Sequence, residues 1–172
     1  MNTEPRFRET QRLRQAWLVG LTLTPAFLAW YVFVAQIVLG RPTGTNPAPD
    51  WGVWLILALV GIGLPALLFS ARLTVAVTND GIRIHFFPFL RRFIPWSAVR
   101  SAEACTYRPM AQFWGWGIRW SSHEGWAYTA SGNHGVRLEL ADGRRLLIGS
   151  QRPGELAETI RARLSCPGPS PR

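Results

Sequence analysis

The chain has 172 residues, 19 basic and 10 acidic side chains, a net charge of +9, 48% hydrophobic residues and a mean hydropathy of +0.05. A soluble basic globule should not be apolar on average, and a disordered basic tail does not carry nine Trp and nine Phe. The charges are segregated instead: every basic residue is Arg, and residues 17–39 and 51–71 hold no charge at all.

In chain order, residues 1–16 read as a basic flank with Arg6, Arg8, Arg12 and Arg14. Residues 17–39 and 51–71 each match the ~20 apolar residues that an α-helix needs to cross a ~30 Å hydrocarbon core. Pro25 and Pro65 lie inside these spans, where a membrane helix tolerates them. The first span is too long for the apolar part of a cleaved signal peptide, and no small-residue cleavage motif follows it. Residues 40–50, GRPTGTNPAPD, form a turn-rich loop that cannot continue a helix. Two antiparallel spans follow, with both chain ends on one side. Arg is frequent on the outer flanks, and the loop has only Arg41, so both termini should face the cytoplasm.

From Arg72 the apolar period becomes two, the strand signal. Leu73, Val75 and Val77 alternate with Thr74, Ala76 and Thr78. Asp80-Gly81 reads as a hairpin turn that uses a positive φ at Gly. Ile82, Ile84 and Phe86 continue the apolar face, and Pro88–Arg92 reads as the next turn. Further strands are expected over Arg100–Tyr107, Phe113–Trp120, Gly125–Ala130, Val136–Leu140 and Arg145–Gly149. In the last segment, Leu156, Ile160 and Leu164 recur every four residues, with Glu155 early and Arg163 late, as in a docked amphipathic helix. Residues 165–172 read as a disordered tail.

About seven antiparallel strands closed by a C-terminal α-helix is the order of a pleckstrin-homology (PH) domain. TNDGIRIHF, FIPWSAV and VRLELADGRRLLIGSQRPGELAETI resemble the PH-like domains of bacterial membrane proteins that carry short helical hairpins. GWGIRW and GWAYTA are similar to an uncharacterised family of that type. The resemblance implies a mainly-β PH-like barrel over residues 72–164 behind a two-helix hairpin. It also implies a multi-pass protein of the bacterial cytoplasmic (inner) membrane.

The chemistry-bearing residues form no recognised constellation. His85, His123 and His134 have no metal-ligand spacing, and no G-x-S-x-G or phosphate loop occurs. No catalytic residue, metal or cofactor is expected. Trp114, Trp116, Ile118 and Trp120 share a period-two face and read first as core, since a small domain needs bulky residues to bury enough area; the alternative is a membrane- or partner-contact surface, where Trp is favoured. Nucleic acid is not expected, for lack of any binding motif. The expected function is an interaction module at the inner membrane surface that binds a protein partner, its own copies or anionic lipid. The candidate contact residues are Arg91 and Arg92 in their turn, Arg72 beside the second span, and Trp96. The alternative is a membrane-associated enzyme with a site between helices and β domain. The topology has a direct check. A Cys at Thr45 should be labelled from outside the cell, and one at Ser170 only after permeabilisation; the reverse pattern would overturn the orientation.

Overall fold

The computed structural model describes residues 5–13, 15–122 and 124–165. The chain divides into two compact units. Leu13–Ala71 forms one. The residues before it, up to Arg12, and those after it, from Arg72, combine into the other.

The first unit is a helical hairpin. Its helices, α1 (Ala16–Val38) and α2 (Asp50–Ser70), are 23 and 21 residues long, and each is long and apolar enough to cross a membrane. Each contains a π-helical stretch, Val34–Val38 in α1 and Leu57–Gly63 in α2. Small residues line the contact between them: Ala26 and Ala29 are buried on α1, and Gly61 on α2. A Cβ at Gly61 would touch the Trp30 ring at 3.4 Å, an ordinary contact, but would fall 2.8 Å from Leu57 Cδ1, so the bare backbone spares that side chain a shift. Trp30 Nε1 donates to the Gly61 carbonyl at 3.3 Å. Nearer the loop, Phe33 meets Trp54 edge-on at 4.7 Å. Gln36 Nε2 donates to Ala48 O (2.6 Å) and Asp50 Oδ1 (3.2 Å), which anchors the loop. The outward surface is apolar, with Phe27 76% exposed.

The second unit contains two sheets. The first has the order β1-β2-β3-β4, built from β1 (Phe7–Arg12), β2 (Arg72–Val77), β3 (Gly81–Phe87) and β4 (Leu90–Pro95). All its pairings are antiparallel. The second has the order β5-β8-β9-β7-β6, from β5 (Val99–Thr106), β6 (Gly117–Ser121), β7 (Gly125–Thr129), β8 (His134–Leu140) and β9 (Arg145–Gly149). A short helix, α3 (Pro109–Phe113), precedes β6, and α4 (Pro153–Ser165) follows β9.

Three expectations change here. The described strands number nine rather than seven, in two unclosed sheets, and β7 pairs with β9 in parallel. The parallel pair arises because the β6–β7 ribbon adds to the β9 edge after β8 has taken the other side. Residues 1–16 are not merely a flank: Phe7–Arg12 is a strand of the first sheet, with Arg12 the register partner of Arg72 and Phe7 of Val77. Thus β1 and β2 are neighbours although the whole helical hairpin lies between them in sequence. The segment Phe113–Trp120 is not one strand. Its first residue ends α3, and Trp114 turns the chain in the left-handed region (φ 57°). The tail expected at residues 165–172 lies outside the described residues from Cys166 onward.

The apolar alternation works as read. Leu73, Val75, Val77, Ile82, Ile84 and Phe86 are buried in the first sheet; Val136, Leu138, Leu146 and Ile148 are buried in the second. Leu156, Ala157 and Ile160 of α4 are buried too, and Arg161 Nε donates to Ala102 O on β5 at 2.7 Å. Gly81 is required for closeness and not for a positive φ: a Cβ there would fall 2.2 Å from Ile94 O.

A buried carboxylate fastens β1 to the second sheet. Glu9 accepts from Ser150 Oγ (2.5 Å), Gln151 N (2.7 Å) and Gln11 Nε2 (2.8 Å). Gln11 Nε2 also donates to Gly149 O at 2.9 Å. Above this network Arg152 stacks on the Phe7 ring, 4.9 Å from its centroid, and donates to Arg8 O at 3.2 Å. Bonds to a charged acceptor are the stronger kind, and removing the acceptor orphans the buried donors. Glu9→Ala should therefore cost at least about 1.5–3 kcal/mol of stability, the range for a hydrogen bond to a charged group, because it orphans several neutral donors at once. Thermal unfolding of the detergent-solubilised chain measures it, and a parent-like midpoint would show that the clasp is dispensable.

Candidate functional site

Strand alternation sends every second residue of the first sheet outward. On β1 these are Arg8, Thr10 and Arg12; on β2, Arg72, Thr74 and Ala76; on β3, Arg83, His85 and Phe87; on β4, Arg91 and Phe93. The pairing aligns them in rows: Arg12–Arg72–Phe87, then Thr10–Thr74–His85–Arg91, then Arg8–Ala76–Arg83–Phe93. Five Arg share this face, and among the described residues of these strands no acidic side chain joins them. Two rest on neighbouring rings: Arg72 lies 5.2 Å from the Phe87 centroid and Arg83 lies 5.9 Å from that of Phe93. Arg83, Ile84, His85, Arg91, Arg92 and Phe93 line a shallow depression there.

The field of this face is legible in His85. Partial burial, and then the positive charges of Arg91 and Arg72, hold its pKa below the ordinary histidine value. Neutral, its Nε2 accepts from Arg91 Nε at 3.3 Å. Arg12 and Arg72 stand directly opposite each other, an arrangement of like charges that costs stability unless an anion or water screens it.

The candidate residues named from sequence separate into three places. Arg72 and Arg91 come together on the outward face. Arg92 does not join them. The turn is shorter than the expected Pro88–Arg92; the chain is extended again from Leu90, so Arg91 and Arg92 are consecutive strand residues on opposite faces. Arg92 points inward, donates to Tyr128 Oη at 2.7 Å and lies 5.7 Å from that ring. Trp96 begins a 3₁₀ turn beyond the far end of β4, where its Nε1 donates to Asn79 O at 2.9 Å. Arg8, Arg12 and Arg83 were missed. For Arg8 and Arg12 the missing signal was the strand itself. Arg83 was visible as an outward residue of its strand, though nothing linked it to Arg72 before the register was known.

The core reading also fails for Trp114 and Trp120, while Trp116 is half-buried and donates from Nε1 to Gly132 O at 2.8 Å. Trp114 is 88% exposed and Trp120 64%. The apolar centre there is filled instead by Tyr107, Phe113, Ala127 and Leu147, with Cys105 against them. Trp120 pairs with Trp126 across the β6–β7 ribbon at the sheet edge. Burial raises the Cys105 thiol above its usual value and pushes the Tyr107 phenol up to about 12, so both stay protonated near neutral pH. Among the described residues no three His, Cys, Asp or Glu gather as metal ligands; His123 lies outside them.

A model of a family of unknown function, DUF6141, matches residues 1–166. The chain belongs to this family. The DUF6141 match spans β1, the hairpin and both sheets together. No curated protein and no solved structure matches the chain.

The opposite orientations of the two adjacent Arg residues separate their roles. Arg92→Gln should lower the unfolding midpoint of the DUF6141 chain by the loss of a partly buried charged bond, about 1.5–3 kcal/mol. Arg91→Gln should stay within about 0.5 kcal/mol of the parent. Equal losses in thermal melts would refute that division.

Proposed function

We propose that this DUF6141 chain is a membrane-anchored module whose Arg-lined sheet meets the anionic headgroups of the leaflet next to it. The carrying observation is the union of two features in one four-stranded sheet. Arg8, Arg12, Arg72, Arg83 and Arg91 share a face without acidic neighbours. The two strands that bear three of them adjoin two helices of membrane-spanning length in sequence, β2 with only Ala71 between.

Strand pairing supports the hairpin topology independently of charge counting. Arg12 and Arg72 can be register partners only if the chain leaves and returns on one side of the bilayer. The Arg excess on those flanks makes that side the cytoplasmic one. A PH-like ancestry for the domain draws support from element order. Four antiparallel strands make the first sheet; β5, β8 and β9 make an antiparallel trio; α4 follows. On this reading the helical hairpin is an insertion between the first and second strands, and β6–β7 is an insertion between the fifth strand and β8. Fold alone would not point to a ligand; the charge of the outward face is what supports anionic lipid.

Anionic lipid near a membrane surface is worth ~1 kcal/mol per Arg. Three Arg together then change occupancy up to ~100-fold. Native mass spectrometry of the detergent-purified full chain, with phosphatidylglycerol and phosphatidylcholine in competition, tests it. The parent should retain phosphatidylglycerol selectively, and Arg72→Gln/Arg83→Gln/Arg91→Gln should lose that selectivity. Equal retention by the triple variant would refute the lipid assignment and leave a protein partner or a second copy as the occupant of the face.

A further inference from the structure

The turn between β3 and β4 is the least polar loop of the first sheet, and register places it beside the helix attachments. β3 runs back toward the end of the sheet where β2 begins, and Phe87 is the partner of Arg72. The chain then goes on past that row as Pro88-Phe89 before β4 starts at Leu90. Phe87, Pro88, Phe89 and Leu90 are all apolar. Phe89 is 58% exposed. It is also held in place: its N–H donates to Phe86 O at 2.8 Å, and its ring leans on the Phe86 ring at 6.2 Å. An exposed ring on a fixed turn keeps its outward position.

The opposite end of the same sheet has the contrary chemistry. The β2–β3 turn passes through Thr78, Asn79 and Asp80, and is polar and acidic.

Only Ala71 separates the last residue of α2, Ser70, from Arg72. A helix that crosses a bilayer therefore delivers Arg72 at headgroup depth. Adjacent strands lie ~4.8 Å apart, so the turn after Phe87 is within ~10 Å laterally of that point. It extends past the Arg12–Arg72–Phe87 row, beyond the end of the sheet at which β2 begins. The interfacial layer between hydrocarbon and water is ~5–8 Å deep on each side. From this geometry we infer that Phe87–Leu90 is a membrane wedge: Phe89 inserts among the lipid chains, while Arg12, Arg72 and Arg91 hold the surrounding headgroups. The occupant of this surface is the bilayer itself. Charge complementarity with anionic lipid and covalent continuity with the apolar helices both select it.

The inference rests on the membrane reading above, and the test separates the two. In a Cys105→Ser/Cys166→Ser background, Phe27→Cys, Phe89→Cys and Asp80→Cys are each labelled with the same environment-sensitive fluorophore. The full chain is reconstituted in phosphatidylglycerol-containing vesicles with nitroxide-labelled lipid. Each label replaces an exposed side chain, so the fold is kept. The Phe27 and Phe89 labels should be quenched severalfold more than the Asp80 label. Strong quenching at Phe27 with Phe89 no different from Asp80 would overturn the wedge and leave the anchor standing. Absence of quenching at Phe27 would overturn both.

Discussion

The pairing of β1 with β2 is the constraint on which the rest depends. A six-residue strand, Phe7–Arg12, finds its partner only after the whole helical hairpin has intervened. Without it β2 would be a bare edge, with unpaired backbone groups open to other chains. The cost of bringing the two strands together across a long connection rises only slowly with its length. The rigid hairpin, returning the chain near its departure point, reduces that cost further. Glu9 then converts strand pairing into sheet–sheet attachment, because its three donors come from β1 itself and from the β9–α4 junction.

The hairpin and most of the strands were legible in the sequence for one reason: both depend on apolar periodicity. Charge-free stretches of membrane length are conspicuous in so short a chain, and Leu73–Val77 or Val136–Leu140 alternate plainly. β1 was not legible, since the buried positions of FRETQR are Phe7, Glu9 and Gln11. Two of the three are polar, and they are buried because their hydrogen bonds come from elements far away in sequence. No local pattern reports that. The Arg pair failed on a finer point. A turn shorter than the expected one placed Arg91 and Arg92 in a strand, where neighbours face apart. The Trp-rich segment failed through its backbone: Trp114, Gly115 and Gly117 all take positive φ, which breaks the period where β6 begins.

The use of Arg alone among basic residues has a consequence for a crowded positive face. Guanidinium is planar and weakly hydrated, and it stacks on rings. Arg72 over Phe87 and Arg83 over Phe93 spread their charge against aromatic faces while keeping donors free. An ammonium group in those positions would be a compact, strongly hydrated point charge. The face thus tolerates its own repulsion partly through the rings embedded in it, and His85 stays neutral among the guanidiniums instead of adding to them.

Arg12 and Arg72 have one more implication, for architecture. Residues in register at the end of two antiparallel strands are what a tight turn joins, and a two-residue Asn-Gly link would suffice there. The segment Leu13–Ala71 therefore occupies the position of an ordinary β-turn. Strand order, register and the Glu9 clasp are all made by residues outside it. In chain order, two helices of membrane-spanning length thus stand where a tight turn would serve, and the sheet's strand order does not depend on what fills that place.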